Sequence, residues 1–149
     1  MDTAIHASKL CMALNPTWPS ALGPVTVAQE GLESAYGIMT PAGSHNPFGI
    51  KAAGDEPYVE AMTWEVVNGQ RVNEPQRFRI FASLADAFAA HGALIVLHPH
   101  TYHMALAFPN DPHAFANGLT GVYATDPQYG QKLCTILDRD VLPRWDYLS

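Results

Sequence analysis

The chain is predicted to adopt an α+β fold, with a mostly helical lobe, a small antiparallel β-hairpin lobe and a groove between the two. Apolar residues recur at three- and four-residue steps through most of the chain, as on the buried faces of helices. Between residues 58 and 81 the pattern changes to β-rich residues around Asn68-Gly69, a dipeptide typical of a tight hairpin turn. These observations place one hairpin inside a helical chain.

Length and composition indicate one compact domain, which we expect to span residues 1–149. A chain of 149 residues with 48% hydrophobic content can bury a substantial core. The formal net charge of -6 argues against a nucleic-acid or membrane-surface binder, because such proteins use clustered Lys and Arg. No segment is long enough to span a bilayer.

Two helices are predicted before the hairpin. The first covers residues 2–15, with Ile5, Leu10 and Leu14 facing inward. The second runs from about residue 24 to residue 37, because Pro24 suits a first helical turn. Its expected buried face consists of Val25, Ala28, Leu32 and Ala35. Residues 39–49 are predicted to form a loop because Pro and Gly interrupt them.

The second helix carries a set of polar side chains beside its apolar face. Helical geometry places Gln29, Glu33 and Tyr36 on this stripe, whereas Glu30 points away from it. A carboxyl at the rim of a buried face is partly desolvated, which raises its pKa and lets it hold a proton at neutral pH. We therefore expect Glu33 to donate a proton and Glu30 to be solvated.

The hairpin is predicted to have one strand over residues 63–67 and a return strand that starts near Arg71. Pro75 is expected to break this strand, which would then continue over residues 77–81.

Four further helices are predicted after the hairpin. Ser83 with Asp86 resembles a capping box that opens a helix to about residue 97. Its expected inward positions are Leu84, Phe88, Leu94 and Ile95. A short helix follows over residues 101–108, and the Asp-Pro pairs at 111–112 and 126–127 cap two more. The last of these presents one apolar face, made of Leu133, Ile136, Leu137 and Val141.

Three motifs occur in a specific order: AQEGLESAYG, NPFGIK and YATDPQYGQKL. This sequence resembles the glucosaminidases of glycoside hydrolase family 73, the group that includes the flagellar peptidoglycan hydrolase domain. The resemblance covers roughly residues 24–137 and departs from the family pattern at Ala35, Tyr36 and Pro47. It implies a lysozyme-like fold and a peptidoglycan hydrolase, an endo-β-N-acetylglucosaminidase that cleaves the GlcNAc-β-1,4-MurNAc bond.

The resemblance also implies roles for the acidic residues. Glu33 occupies the position of the family's catalytic acid, although periodicity alone favours a solvated helix-surface carboxylate. Glu65 is the candidate for the second carboxylate, with Glu56 and Glu60 as fallbacks. A strand-surface residue paired with Arg71 or Arg77 is the alternative for Glu65. Assistance from the sugar's own acetamido group would make a second enzyme carboxylate less necessary.

Aromatic and amide side chains are the candidates for holding the sugar. Tyr123, in the YATDP run, matches the aromatic residue that borders the catalytic acid in the family, and a core tyrosine is the alternative. Gln29, Tyr36, Asn46 and Phe48 are expected to bind substrate, because ligand sites combine apolar walls with a few polar groups. Asp126 is more simply a helix cap.

No metal and no cofactor are expected. His98, His100 and His103 invite a metal site, but Pro99 interrupts any shared helical face and the H-E-x-x-H spacing is absent. Surface or packed histidines are the preferred interpretation. Cys11 and Cys134 are expected to be two buried thiols, with a disulfide between the terminal helices as the alternative.

The expected partner is the peptidoglycan glycan strand, acted on in the periplasm or outside the cell, by a monomer. No secretory signal opens the sequence, so we expect helper-dependent delivery, phage release or carriage in a particle, with a delivery or immunity protein as a further partner. Two alternatives stay open. One is a muramidase or lytic transglycosylase on the same fold, and the other is a non-catalytic wall-binding module.

Overall fold

The computed structural model describes residues 1–34 and 40–147, apart from the side chain of Glu65. It confirms the predicted α+β class. A π-helical segment, Leu137–Val141, joins the helix that ends at Ile136 to the helix that begins at Leu142. The elements are α1 (Asp2–Leu14), α2 (Leu22–Ser34), β1 (Tyr58–Val67), β2 (Gln70–Arg79), α3 (Leu84–Val96), α4 (His103–Leu106), α5 (Pro112–Gly118), α6 (Tyr129–Ile136) and α7 (Leu142–Trp145). None of the helices in these ranges is long and apolar enough to cross a membrane.

Helix α2 lies at the centre of the helical lobe. It packs against α1, α3, α5 and α6, and every residue from Leu22 to Glu30 is buried. The sequence predicted a single buried face, which is wrong because neighbours surround the first two and a half turns of the helix. Polar side chains are consequently carried into the core with the apolar ones. The predicted end of this helix, near residue 37, lies outside the described residues.

Helix α1 approaches α2 through small side chains. The hydroxyl of Ser8 donates a hydrogen bond to the carbonyl oxygen of Gly23 at 2.9 Å. The prediction that Leu10 and Leu14 face inward is wrong, since they are 54% and 73% exposed. The buried face of α1 consists instead of Ala4, Ile5, Ser8 and Cys11. Ile5 is fully buried, as predicted.

The hairpin forms with the predicted turn. Asn68 and Gly69 have φ angles of 52° and 78°, the left-handed values that a two-residue hairpin turn requires. The strands pair antiparallel, and β2 passes without a break through Pro75, opposite Met62. The predicted break at Pro75 is therefore wrong. In a two-stranded sheet each strand has a free edge, so a missing N–H at a non-hydrogen-bonded position costs no ladder bond.

The helices after the hairpin begin largely where their caps predict. Ser83 accepts a hydrogen bond from the backbone N–H of Asp86 at 3.1 Å, and Asp111 caps α5 in the same way. The predicted inward position of Leu94 is wrong, because this residue is 42% exposed. The buried face of α3 instead includes His91 and Gly92. Helix α4 is shorter than predicted.

The C-terminal helices close the core as expected. The predicted apolar face is buried throughout, at Leu133, Ile136, Leu137 and Val141. Asp126 accepts a hydrogen bond from the backbone N–H of Gln128 at 2.9 Å, but α6 begins at Tyr129 with Gln128 at its N-cap position, so the prediction that Asp126 caps this helix is wrong. Cys11 and Cys134 are unpaired, and Cys134 is partly exposed rather than buried.

A glycine allows α6 to lie close to α5. A Cβ atom at Gly130 would lie 2.6 Å from the Cα of Asn117, so we expect Gly130→Ala to lower the free energy of unfolding by about 1–3 kcal/mol. Urea denaturation measures this loss. Gln131→Ala, on the exposed side of the same helix, should change it little. Equal stabilities of the two variants would contradict the proposed close packing.

Candidate active site

A cleft opens between the two lobes. Its volume is about 410 Å³, and it is bounded by the C-terminal part of α2, the loop over residues 40–49 and the hairpin. Glu33 reaches it from the helix. The loop contributes Asn46, Pro47, Phe48 and Gly49, and the hairpin contributes Ala61, Met62, Thr63 and Phe78.

Asn46 holds the loop against the hairpin. Its side-chain Nδ2 donates to the carbonyl oxygens of Ile50 and Arg79 at 2.8 and 2.9 Å, and its Oδ1 accepts from the N–H of Ile50 at 3.1 Å. The residue is fully buried. Because both N–H groups of the amide are donated to backbone carbonyls, Asn46 fixes the position of the loop that forms one wall of the cleft.

Phe48 belongs to both the cleft and the core. It lines the cleft, yet it is only 7% exposed. Its ring stacks on the imidazole of His91, with centroids 4.2 Å apart and planes at 11°, and meets Phe88 edge-on. The loop is thus anchored on α3. Tyr36, the other aromatic residue predicted to bind substrate on this side, lies outside the described residues.

Glu33 opens onto the cleft and is held by one hydrogen bond. The hydroxyl of Tyr129 donates to its Oε1 at 3.0 Å. Glu33 is an exposed residue, but the protein surrounding its carboxyl still raises the pKa through desolvation, which the hydrogen bond from Tyr129 partly opposes. The direction of this pKa shift is the one that the sequence predicted.

A chain of buried hydrogen bonds leads from Glu33 into the core. Gln29 donates from Nε2 to the hydroxyl oxygen of Tyr129 at 3.1 Å, and its Oε1 lies 2.8 Å from Nε2 of His91. Gln29 and His91 are both fully buried. Burial lowers the pKa of His91 to about 3, so its imidazole is neutral. Gln29 therefore contacts protein on both sides of its amide.

Tyr123 lies against the same chain. Its ring stacks on Tyr129 at 5.7 Å and meets His91 edge-on at 5.4 Å, and its hydroxyl lies 3.5 Å from Nδ1 of His91. Burial raises the pKa of Tyr123, and the charge of Glu33 raises it further. The structure thus brings Gln29, Glu33 and Tyr123 together, as the motifs suggested.

The sequence analysis missed two members of this chain, His91 and Tyr129. Tyr129 stands inside the YATDPQYGQKL run, so its motif carried a usable signal. His91 lies three residues after Phe88 and four before Ile95, on the inward face of α3. A polar residue at such a position indicates a buried hydrogen-bond partner.

The candidate for the second carboxylate, Glu65, lies on β1. The backbone of Glu65 pairs with Val72 in the hairpin, and its side chain lies outside the described part of the structure. The two fallbacks both meet arginines: Glu60 lies 3.7 Å from Arg77, and Glu56 lies 3.0 Å from Arg79.

The prediction that Glu30 is solvated is wrong. Glu30 is 2% exposed, and its Oε2 has no hydrogen-bond partner within residues 1–34 and 40–147. Desolvation raises its pKa to about 7, against the opposing charge of the amino terminus. It borders a second cavity of about 540 Å³, which shares the lining residues Thr40, Pro41 and Pro47 with the Glu33 cleft. The sequence pattern predicted a solvated Glu30 because it does not reveal that neighbouring elements enclose α2 on all sides.

The rings of two of the three histidines near Pro99 bond to nearby backbone. His98 places Nδ1 2.7 Å from the carbonyl oxygen of Leu94, and His103 places Nδ1 2.9 Å from that of His100. Within the described ranges, no three His, Cys, Asp or Glu side chains are arranged to hold a metal ion.

Comparison with known proteins finds a family and several relatives. The sequence model of the glucosaminidase family, described as mannosyl-glycoprotein endo-beta-N-acetylglucosaminidase, matches residues 21–142. The peptidoglycan hydrolase FlgJ of Pseudomonas aeruginosa is 35% identical over 74% of this chain and 29% of its own length. A probable N-acetylmuramidase of Lactococcus lactis subsp. cremoris is 31% identical over 100% of this chain and 35% of its own length.

A solved structure of similar shape supports the fold. The crystal structure of a peptidoglycan hydrolase mutant from Sphingomonas sp. A1 matches with a TM-score of 0.74 and 32% identity, over 99% of both chains. The architecture is therefore the lysozyme-like one that the motifs imply. The present chain spans less than half the length of the curated relatives it matches.

The burial of Glu30 predicts a pH-dependent stability. Because its folded-state pKa, about 7, exceeds the ordinary value of 4.5, its contribution to stability is complete below pH 4.5 and is lost as the pH rises through 7. Glu30→Gln stays uncharged, so its stability relative to the wild type should increase by roughly 3 kcal/mol between pH 4 and pH 8. Urea unfolding at both pH values measures this change.

Glu60→Gln is the matched control, since it removes a carboxyl whose side chain is 58% exposed. Its stability relative to the wild type should be the same at the two pH values. If the stability of Glu30→Gln relative to the wild type were also the same at the two pH values, the conclusion that the Glu30 carboxyl is buried would be wrong.

Proposed function

We propose, because this chain belongs to the glucosaminidase family, that it is a peptidoglycan hydrolase: an endo-β-N-acetylglucosaminidase that cleaves the GlcNAc-β-1,4-MurNAc bond with Glu33 as general acid. The observation that carries this proposal is the Glu33 carboxyl, which lines the cleft, has a raised pKa and is held by Tyr129. A raised pKa favours the protonated carboxyl, which is the form that can protonate a leaving glycosidic oxygen.

The reaction also needs support for the oxocarbenium-like transition state. In our proposal Glu65 supplies it, either by stabilising the positive charge or by activating water. The backbone of Glu65 lies in β1 two residues beyond Thr63, which lines the cleft. If the acetamido group of the substrate supplies this support instead, the second carboxylate becomes less important.

Sugar binding would use the walls of the cleft. Phe48 presents an apolar edge there. Tyr123 and Tyr36 are proposed to contact the sugar, both on the basis of the sequence. Gln29 and Asn46 are proposed to act indirectly, since their amides are buried and bonded to protein. Such groups fix the geometry of the side chains that touch the substrate.

The proposed place of action is the cell wall, in the periplasm or outside the cell. Glycan strands of peptidoglycan are the proposed partner, and the membership of the family supports this substrate class. A monomeric state and a delivery or immunity partner are part of the same proposal.

The acid role of Glu33 predicts a large loss of activity. Glu33→Gln keeps the size of the side chain but cannot donate the proton, so lysis should fall by about 10²- to 10⁴-fold. The turbidity of purified sacculi measures lysis, and circular dichroism checks folding. Asp138→Asn, a matched change at an exposed carboxyl bonded to His113, should keep full activity. Wild-type lysis by Glu33→Gln, or wall binding without lysis by the wild type, would refute the proposal.

Product analysis separates the enzyme classes. A glucosaminidase leaves a new reducing N-acetylglucosamine end, which mass spectrometry of borohydride-reduced digests identifies. The relative named a probable N-acetylmuramidase makes the muramidase the specific alternative. A new reducing N-acetylmuramic acid end, or an anhydro product, would reject the glucosaminidase assignment in favour of a muramidase or a lytic transglycosylase.

A further inference from the structure

We propose that the buried His91 is a positioning residue for Glu33. Through the side chains of Gln29 and Tyr129, it makes Oε2 of Glu33 the oxygen that carries the catalytic proton. The inference rests on the proposed role of Glu33 as the acid, and it adds a residue in the core that sets how this acid works.

The neutral ring of His91 carries one N–H proton, on either Nδ1 or Nε2. Its ring is fully buried between Phe48 and Tyr123, and the cost of burying a charge keeps it neutral. A neutral imidazole has one nitrogen that donates and one that accepts. Nε2 faces Oε1 of Gln29 at 2.8 Å, and Nδ1 faces the hydroxyl of Tyr123 at 3.5 Å. The tautomer of His91 therefore determines whether the amide oxygen or the amide N–H₂ group of Gln29 faces Nε2.

If Nε2 carries the proton, the chain runs towards the cleft. His91 donates to the amide oxygen of Gln29, whose Nε2 then donates to the hydroxyl oxygen of Tyr129 at 3.1 Å. The single hydrogen of Tyr129 is left for Oε1 of Glu33 at 3.0 Å. The carbonyl oxygen of a protonated carboxyl is a stronger acceptor than its hydroxyl oxygen, so this bond favours Oε1 as the carbonyl oxygen and Oε2 as the oxygen that carries the proton.

If Nδ1 carried the proton, the chain would run the other way. Nε2 of His91 would accept from a reversed Gln29 amide, and Tyr129 would donate to Gln29. Glu33 would then have to donate a hydrogen bond from Oε1 to the hydroxyl oxygen of Tyr129. Its proton would point into the protein and not towards a bound substrate. This arrangement also fails once Glu33 is ionised after proton transfer. The catalytic cycle is therefore consistent with the first arrangement alone.

Other titratable residues lie on the elements around Glu33 and must be separated in any test. Glu30 lies one turn before Glu33 on α2, Tyr123 and Tyr129 approach from the segment around the start of α6, and Glu65 belongs to the hairpin opposite. Glu30 titrates near neutral pH. Experiments on Glu33 should therefore be made in a Glu30→Gln background.

The tautomer can be measured directly in the complete, unsubstituted chain. The ring ¹⁵N chemical shifts of His91 distinguish a proton on Nε2 from one on Nδ1. We expect the Nε2–H form throughout the pH range of activity. The Nδ1–H form, or a mixture that changes with pH, would overturn the proposal without reference to any variant.

The effect on Glu33 can be measured by ¹³C titration of its side-chain carboxyl. Tyr129→Phe removes a bond to the ionised form, so the pKa of Glu33 should rise by about one unit. His91→Phe keeps the ring that stacks on Phe48 but releases the Gln29 amide, so it should give a smaller rise. In the Tyr129→Phe background His91→Phe should add nothing.

Two controls separate this effect from a general loss of structure. His91→Gln restores an N–H donor at the position and should return the pKa of Glu33 towards the wild-type value. Ser8→Ala deletes another buried hydroxyl, which bonds to the carbonyl oxygen of Gly23 where α1 meets α2, and should leave the pKa of Glu33 unchanged. A His91→Phe shift that is absent, or that adds fully to the Tyr129→Phe shift, would contradict the positioning role. A His91→Gln shift as large as that of Tyr129→Phe would contradict it too.

The two proposals can fail separately. If Glu33→Gln still lyses sacculi, the acid assignment is wrong whatever the titrations show. If Glu33→Gln is inactive while His91→Phe leaves the Glu33 titration unchanged, the acid assignment stands and the role of His91 is withdrawn. The basic limb of the pH dependence of kcat/KM should move with the measured pKa of Glu33.

Discussion

The enclosure of α2 is the constraint on which the rest of the structure depends. Residues from Leu22 to Glu30 are buried on every side of the helix, so a polar side chain there needs a hydrogen-bond partner inside the protein; among the described residues Oε2 of Glu30 has none. Gln29 finds them in His91 and Tyr129. Leaving the buried amide of Gln29 without partners would cost roughly 1–3 kcal/mol of folding free energy. The burial of α2 therefore favours the same hydrogen bonds that lead to Glu33.

The cleft depends on a second set of core contacts. Asn46 ties the loop to the end of β2, and the stacking of Phe48 on His91 ties it to α3. The loop that forms one wall of the site is thus joined to the same histidine that begins the hydrogen-bond chain. Glu33 and its cleft wall are positioned from one point in the core, which is a rigid way to support a catalytic group.

Local signals in the sequence predicted much of this arrangement. The Asn68-Gly69 turn and the caps at Ser83 and Asp111 act through neighbouring residues, so the chain itself reveals them. Glu33 was found because it lies in a motif that resembles a family pattern. Periodicity alone would have assigned it to the solvated surface.

The errors arose where tertiary packing decides the outcome. Glu30 was assigned to solvent because the pattern shows one apolar face, but the pattern does not show how many neighbours surround the helix. Leu10 and Leu94 are exposed because small residues and a histidine occupy the buried positions beside them. His91 acquires its importance from a partner 62 positions earlier in the chain, a pairing that no local pattern reveals.

The most direct test of the account is the structure of Glu33→Gln bound to a GlcNAc-MurNAc oligosaccharide. The account predicts that the side-chain oxygen at position 33 accepts the hydrogen bond from Tyr129, while its N–H₂ group lies about 2.6–3.2 Å from the glycosidic oxygen. An oligosaccharide seated in the cavity beside Glu30, or a glycosidic oxygen beyond the reach of position 33 even through one water, would contradict it.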